Sequence, residues 1–445
     1  MSFISDQQTL NDLDIFGKPG GASIYFLFNR TFTRGGAEML EEMFRSPLVD
    51  PAAINKRSAI IASFASTRVF PFDTELFDVA EQYLAEMDER TKLSGAPGDI
   101  SRKWSTLVGG DTLYKFVQTG VAAIMEIIRG LRDFARSIAG DQHMPYREEL
   151  TAITDLLEEP ALAAVREKRG KFKLGYAAVA EWDARFRFRH RSSLKSLLRY
   201  IYQLDVYISV SNIASEHGFC YPRALAPDVQ HLELEGLCHP LLHDPVPNDF
   251  SLTPRGNVVF LTGANMAGKS TFMKSVGVAM YLGHMGFPVA ATSMEFSVMD
   301  GIYSSINLPD NLGSGISHFY AEVLRVKKVA RQLGLGKRLL VIFDELFRGT
   351  NVKDAYEATI AITEGFARKA GSMFVISTHI IEAGEALRER CHNICFRFLP
   401  TRMTGNSPIY TYLLAEGITA DRHGMVIIRN EGIIELLKNG RTKTL

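Results

Sequence analysis

The chain has little of what would place it outside a reducing interior or inside a bilayer. Four cysteines occur in 445 residues, Cys220, Cys238, Cys391 and Cys395, and no two stand in C-x-x-C spacing. That excludes a disulfide scaffold, and the reduced thiols of a cytoplasmic protein are expected. Cys391 and Cys395 flank His392 and can be read as metal ligands, but the run Cys391–Phe398 has the apolar content of a strand, so zinc is not expected. Charge of one sign is also lacking. Fifty Lys and Arg against fifty Asp and Glu exclude a uniformly basic body wrapped around DNA, though not a local basic patch. The opening MSFISDQQTL has no basic segment followed by an apolar one, so no secretory signal is expected. The apolar stretch from Val276 to Ala291 contains His284 and Pro288 and is short for a membrane span. It reads as a buried helix running into a strand, and no membrane partner is expected.

What is present describes a globular protein. Hydrophobic content of 46% and charged content of 22% supply ample core for two or three domains. Leu113, Phe116, Val117, Val121, Ile124, Ile128, Leu131, Phe134, Ala135 and Ile138 recur at three- and four-residue spacing and predict a long amphipathic helix. Leu194, Leu197, Leu198, Ile201, Leu204 and Ile208 predict a second. Breaks fall at Ser94–Gly98, Ala139–Asp141 and Glu159-Pro160, and no repeat or low-complexity tract is evident. Past His217-Gly-Phe-Cys-Tyr-Pro222 short apolar strands, glycines and helices alternate, as in an α/β sheet. The expected organisation is a helical domain over 1–217 and an α/β domain over 218–445.

The sharpest signal is TGANMAGKST, residues 262 to 271. Gly263, Gly268, Lys269 and Ser270 fit G-x-x-x-x-G-K-[ST], the phosphate-binding P-loop. Glycines let the backbone curl so that successive N–H groups point inward, and the next helix offers its positive end to an anion. An ordinary glycine turn is the bland reading. The strand Val258–Thr262 before the loop and the helical run from Thr271 after it favour the P-loop. ATP is therefore the expected ligand, with Lys269 on its terminal phosphates and the Ser270 hydroxyl on Mg²⁺. Further along, Arg338-Leu-Leu-Val-Ile-Phe-Asp-Glu345 is an apolar strand ending in two acids. In P-loop enzymes the first such acid holds the metal, here Asp344, largely through water. Glu345 would orient the attacking water. Met373-Phe-Val-Ile-Ser-Thr-His379 is a third strand with His379 at its carboxyl end, where α/β sheets bind ligands. His379 is a candidate sensor of the γ-phosphate.

TGANMAGKSTFMKSVG, DNLGSGISHFYAEV, LLVIFDELFRGTNVKDA and ISTHIIEAG, in this order, resemble the ATPase domain of the MutS family of DNA mismatch-repair proteins. Cys238-His-Pro-Leu-Leu242 and Val246-Pro-Asn-Asp249 are similar to that family's run before the P-loop, and Thr9–Phe16 and Leu27–Gly36 to the start of its core (lever) domain. The resemblance covers most of the chain. It implies an α plus α/β fold: a mostly helical core domain followed by a P-loop domain of the ATP-binding-cassette type. It implies that Gly263, Ala264, Asn265, Met266, Ala267, Gly268, Lys269, Ser270 and Thr271 bind ATP and Mg²⁺. Asp344 and Glu345 become the Walker B pair and His379 the histidine-loop residue. It further implies a homodimer of facing ATPase domains. Ser317, or Ser314 as second candidate, would complete the partner's site, and the D-loop Arg348–Asp354 would cross the interface. Holding a γ-phosphate between subunits makes closure depend on ATP and reopening on hydrolysis.

The pattern departs from mismatch-repair MutS at both ends. No Phe-x-Glu intercalating motif in a preceding domain is found, the space between the long helices is short for a DNA clamp, and the chain stops soon after the ATPase motifs. Mismatch reading is therefore not expected. DNA binding, if present, needs a local patch. Arg185, Arg187, Arg189 and Arg191, interleaved with aromatics, are the candidate, with Lys195 and Arg199 nearby. Arg166, Lys168, Arg169, Lys171 and Lys173 form a second cluster. Solvated helix faces explain both equally well. The leading expectation is an ATP-driven DNA-binding protein of mismatch repair or recombination. The alternative is an ATP-switched scaffold that binds a protein or nucleoprotein without recognising DNA.

Overall fold

The computed structural model describes residues 2–17, 21–65, 69–93, 111–140, 144–165, 174–306, 318–347, 350–404, 407–419, 433, 434 and 436. It is a mixed helical and α/β protein of two compact units. Their division differs from the linear boundary expected near residue 217. One unit joins Met1–Phe28 and Phe44–Ser58 to Ile213–Leu445, and the other is Asn29–Met43 with Ala59–Asn212. Non-local backbone pairing is the reason. Ile4 bridges Gly301 in parallel, donating to Asp300 O at 2.9 Å and accepting from Ile302 N at 2.9 Å. The Leu48 amide donates to His284 O, and Asn55 makes a two-way side-chain bond with the backbone of Ala224. Residues early in the chain thus complete the α/β unit.

The other unit is helical among its described residues. Helix Asp111–Ile138 buries Val117, Val121, Ile124, Ile128, Leu131 and Phe134, the stripe that the spacing demanded. Gly120 interrupts that stripe because Tyr83 of helix Glu75–Ala85 lies against it; a Cβ there would meet the ring at 2.2 Å. Helix Arg191–His217 buries Leu194, Leu197, Leu198, Ile201, Leu204 and Ile208.

In the α/β unit, strands β1 (Arg223–Leu225), β2 (Leu232–Leu237), β3 (Asn248–Leu252) and β5 (Ser293–Ser297) form a sheet of order β1-β5-β2-β3. A second sheet has the order β12-β9-β4-β8-β7-β6. Its members are β4 (Val258–Gly263), β6 (Gly301–Ser305), β7 (Leu339–Phe343), β8 (Met373–Ser377), β9 (Ile394–Leu399) and β12 (Ala415–Glu416). Strands β10 (Thr401–Thr404) and β11 (Ser407–Tyr410) make a hairpin. From β9 to β6 every pairing is parallel. β4, β7 and β8 are buried along their whole length, as parallel strands covered on both faces are. Phe343, Phe366 and Phe374 stack at 5.9 and 4.7 Å between the sheet and helix Val352–Ala367. The register matters most: Leu261 pairs with Ser377, and Phe343 with Ile376. The residues that follow β4, β7 and β8 therefore emerge together at one edge of the sheet.

Candidate active site

The loop after β4 reaches its helix through two glycines whose backbone suits few other residues. Gly263 has φ +147° and Gly268 φ +97°, and the loop also holds Met266 at φ +68°. Helix Lys269–Met285 begins directly at Gly268, and no side chain caps its amino end. Its first-turn N–H groups are those that an anion satisfies at such a terminus. Asn265, Met266, Ser270 and Thr271 are exposed on the rim, whereas Lys269 is buried, its ammonium donating to Gly263 O at 2.8 Å and Ala264 O at 3.1 Å. Burial lowers the Lys269 pKa against the opposing pull of Asp344 and Glu345. Those carbonyl bonds hold the loop closed around a cation, beside two acids.

The acids stand one and two residues beyond β7. Ser270 Oγ donates to Asp344 Oδ2, so the loop hydroxyl and the strand-end carboxylate meet. Both are hard oxygen donors of the kind Mg²⁺ takes, and Mg²⁺ fills its remaining positions with water and phosphate. Among the described residues no group of three or more His, Cys, Asp or Glu side chains is placed to hold a metal by itself. Glu345 has φ +53°, and its Oε1 lies 2.5 Å from His379 Nε2. Lys269, Ser270, Asp344, Glu345 and His379, expected from separate motifs, form one constellation. Gly263, Ala264, Ala267 and Gly268 shape the loop beneath it.

Ser314, Ser317, Arg348 and Gly349 lie outside the described residues, as do Arg166, Lys168, Arg169, Lys171 and Lys173. Of the stretch 348–354, Asn351 caps helix Val352–Ala367 by accepting from Asp354 N at 2.9 Å.

The arginine patch needs correcting. Ala184–Arg189 is a turn of π-helix, and Arg187 in it is 0% exposed. Its guanidinium holds Asp183 through two bonds of 2.5 and 2.7 Å and donates to Thr91 and to Glu86 O. Asp183 in turn accepts from Tyr83 OH at 2.8 Å. Arg187 is an internal staple with no exposed surface to offer a phosphate. Arg191 donates to Leu84 O at 2.7 Å, and Arg185 pairs with Glu181 beside Trp182. Arg189 alone of the four is exposed. Alternating basic and aromatic letters would share one face of a strand, but in a helical segment residues two apart lie on opposite sides, and Arg187 falls on the inner one.

Three residues beside the constellation were not among the expected site residues, although Ser377 lies within ISTHIIEAG and Asn248 within Val246-Pro-Asn-Asp249. The Ser377 hydroxyl donates to Asp344 Oδ1 and accepts from Glu345 N at 3.0 Å. The Tyr412 ring lies against the P-loop, 3.1 Å from where a Cβ on Gly268 would stand. Asn248 holds Tyr412 in place, donating to its carbonyl at 2.9 Å and accepting from Leu414 N at 2.6 Å. They come from distant strands and loops, and their places follow from contacts made only in three dimensions.

Comparison with known proteins gives two family matches. The model of MutS domain III matches residues 8–211, and that of MutS domain V residues 259–443. The DNA mismatch repair protein MutS of Fusobacterium nucleatum is 28% identical over 262 residues, 58% of this chain and 29% of that protein. That of Rhodopirellula baltica is 28% identical over 283 residues, 62% of this chain and 31% of its own length. That of Desulfovibrio desulfuricans is 30% identical over 259 residues, 56% and 27% respectively. The chain thus spans less than a third of the length of these relatives.

Proposed function

The chain belongs to the MutS family, and on that premise we propose that it is a dimeric, Mg²⁺-dependent ATPase of the ATP-binding-cassette type whose nucleotide state switches its hold on DNA. By analogy with the relatives' name, it would act in DNA mismatch repair, and we extend the proposal to recombination and to a cytoplasmic location. No helix among the described residues is long and apolar enough to cross a membrane. The observation that carries the ATPase reading is the convergence of Lys269, Ser270, Asp344, Glu345 and His379 at the ends of three neighbouring parallel strands.

The roles follow from chemistry. The loop from Gly263 to Thr271 presents backbone N–H groups to phosphate oxygens, and the Lys269 ammonium exchanges its carbonyl partners for terminal phosphates. Ser270 and Asp344 would hold Mg²⁺, which when bound neutralises charge on the β- and γ-oxygens. Glu345 orients a water molecule toward the γ-phosphate and polarises it. His379, in reach of Glu345 Oε1, fixes that carboxylate and senses the same phosphate. Ser317, or Ser314, would complete the site of the facing subunit.

Lys269→Ala should weaken binding of a fluorescent ATP analogue at least about tenfold, since a phosphate-facing charge is worth more than 1.4 kcal/mol. Equal affinity for both proteins would remove the P-loop assignment. The burial of Arg187 favours a second reading, a scaffold that binds a protein or nucleoprotein partner without recognising DNA. Gel shifts with homoduplex, mismatched and branched DNA, with and without ATP, decide between the two.

A further inference from the structure

We propose that Ser377 is the positioning residue for both acids at the end of β7, an inference that rests on the reading of Asp344 as metal-holding and Glu345 as water-orienting. Ser377 is the last residue of β8, the strand between β4 and β7, and it is fully buried. A hydroxyl has one proton and two lone pairs. Here the proton goes to Asp344 Oδ1 and a lone pair accepts the Glu345 N–H at 3.0 Å. The Ser377 carbonyl accepts from Leu346 N at 3.3 Å, so one residue grips three consecutive positions beyond the neighbouring strand. Thr378, next in sequence, behaves as an ordinary turn residue, its hydroxyl accepting from Ile380 N two positions on. Ser377 turns its hydroxyl away from its own strand.

Two consequences follow. With Oδ1 of Asp344 claimed by Ser377, the carboxylate plane is fixed and Oδ2 stays on Ser270 Oγ, the geometry that a shared cation needs. Glu345 occupies left-handed backbone at φ +53°, costly for a residue with a side chain, so something must hold it there. The bond from its N–H to Ser377 does so, and in that conformation Oε1 meets His379. The Ser377 hydroxyl spends its bonds on Asp344 and Glu345 and not on Lys269, so its effect belongs to the metal and the water and leaves the phosphate grip alone.

The test uses the full chain with Ser377→Ala, Ser377→Thr and Ser377→Val, the last two equal in shape and different in the hydroxyl. ATP turnover is measured against Mg²⁺ concentration. Separately, a fluorescent ATP analogue is titrated with Mg²⁺ and in chelator, and folding is checked by thermal unfolding. The alanine and valine proteins should lose about 10- to 100-fold in kcat, and the Mg²⁺ midpoint for analogue binding should rise about tenfold, the usual size of an outer-sphere effect. Binding in chelator should stay within twofold, and threonine should restore kcat to within about threefold. Wild-type kcat and Mg²⁺ midpoint in the alanine protein would overturn the proposal. Should alanine fail to fold, valine behaving like threonine would overturn it. A wild-type chain that neither binds nor hydrolyses ATP would sink the underlying reading, an outcome distinct from active wild type with indifferent Ser377.

Discussion

Arg187 and His284 are the kind of polar residue that invites a functional role, and each is committed to packing. Arg187 neutralises Asp183 with both groups at 0% exposure. Removing one partner of such a pair leaves a bare buried charge, so Arg187→Ala should cost about 3–5 kcal/mol in chemical denaturation. The salt slope of any DNA binding should not change, whereas Arg189→Ala would lower it by about one if Arg189 meets a phosphate. An Arg187→Ala protein of wild-type stability would contradict the staple. His284 is wholly buried, its Nδ1 against Leu48 O at 2.8 Å and its Nε2 accepting from Met299 N at 3.2 Å. A second ring proton would face a donor, and burial pushes the pKa down to about 4. The unfolded chain takes up a proton near pH 6.5 and the folded one does not. Stability from this residue is therefore complete above about 6.5 and falls by up to roughly 1.4 kcal/mol per pH unit down to about 4. Urea unfolding at pH 7.0, 5.5 and 4.5 should show a steeper decline in the wild type than in His284→Gln. Identical slopes would mean that the ring is not held neutral.

Between the residue and the molecule stand elements whose place the sequence revealed unevenly. The helices around Val117–Phe134 and Leu194–Ile208 were legible because a buried stripe repeats every three or four residues. Strands β4, β7 and β8 were legible because both faces are covered and their letters are continuously apolar. The apolar letters from Cys391 to Phe398 predict a strand throughout, yet β9 begins at Ile394. Cys391 N donates to Leu387 O and so ends the preceding helix, while Asn393 bonds Asn257 and Ala367 O. The short helix Gln7–Asp12 carries no period of its own, and its role lies in distant partners. Asp6 caps it through Thr9 N, and it receives Arg325 and Lys328 from helix His318–Gly334. Burial works against the Asp6 carboxylate, but those two cations hold it far below its usual range. Its stabilisation is present above the ordinary carboxylate pKa and is lost as pH falls below it. Asp6→Ala leaves Arg325, 7% exposed at its side chain, without that acid, and should cost about 3 kcal/mol by denaturation at neutral pH. An unchanged midpoint would show that the amino-terminal segment is not part of the α/β unit's stability.

At the scale of the whole molecule, motifs spread along the chain from Gly263 to His379 made the site legible because each sits at the end of a strand. Ser377 and Tyr412 were not legible, since adjacency of β8 to β7 and of the 411–414 turn to the P-loop exists only in three dimensions. The assignment of Met1–Phe28 to the α/β unit was hidden for the same reason. A dimer with composite sites makes a prediction of its own. Ser317→Ala and Lys269→Ala proteins should each be inactive, and mixed heterodimers should recover part of the ATPase activity, because one site carries both lesions and the other none. No recovery in heterodimers shown to form would rule out the composite site. The central claim is narrower still, that Glu345 activates water at a metal-dependent ATP site. The direct measurement is phosphate release from ATP by the full chain and by Glu345→Gln, each with Mg²⁺ and with chelator, alongside binding of the fluorescent analogue. The wild type should turn over only with Mg²⁺, and Glu345→Gln should bind the analogue within about threefold of wild type while losing at least about 100-fold in rate, the scale of a lost general base. A Glu345→Gln protein that releases phosphate at the wild-type rate would contradict the account.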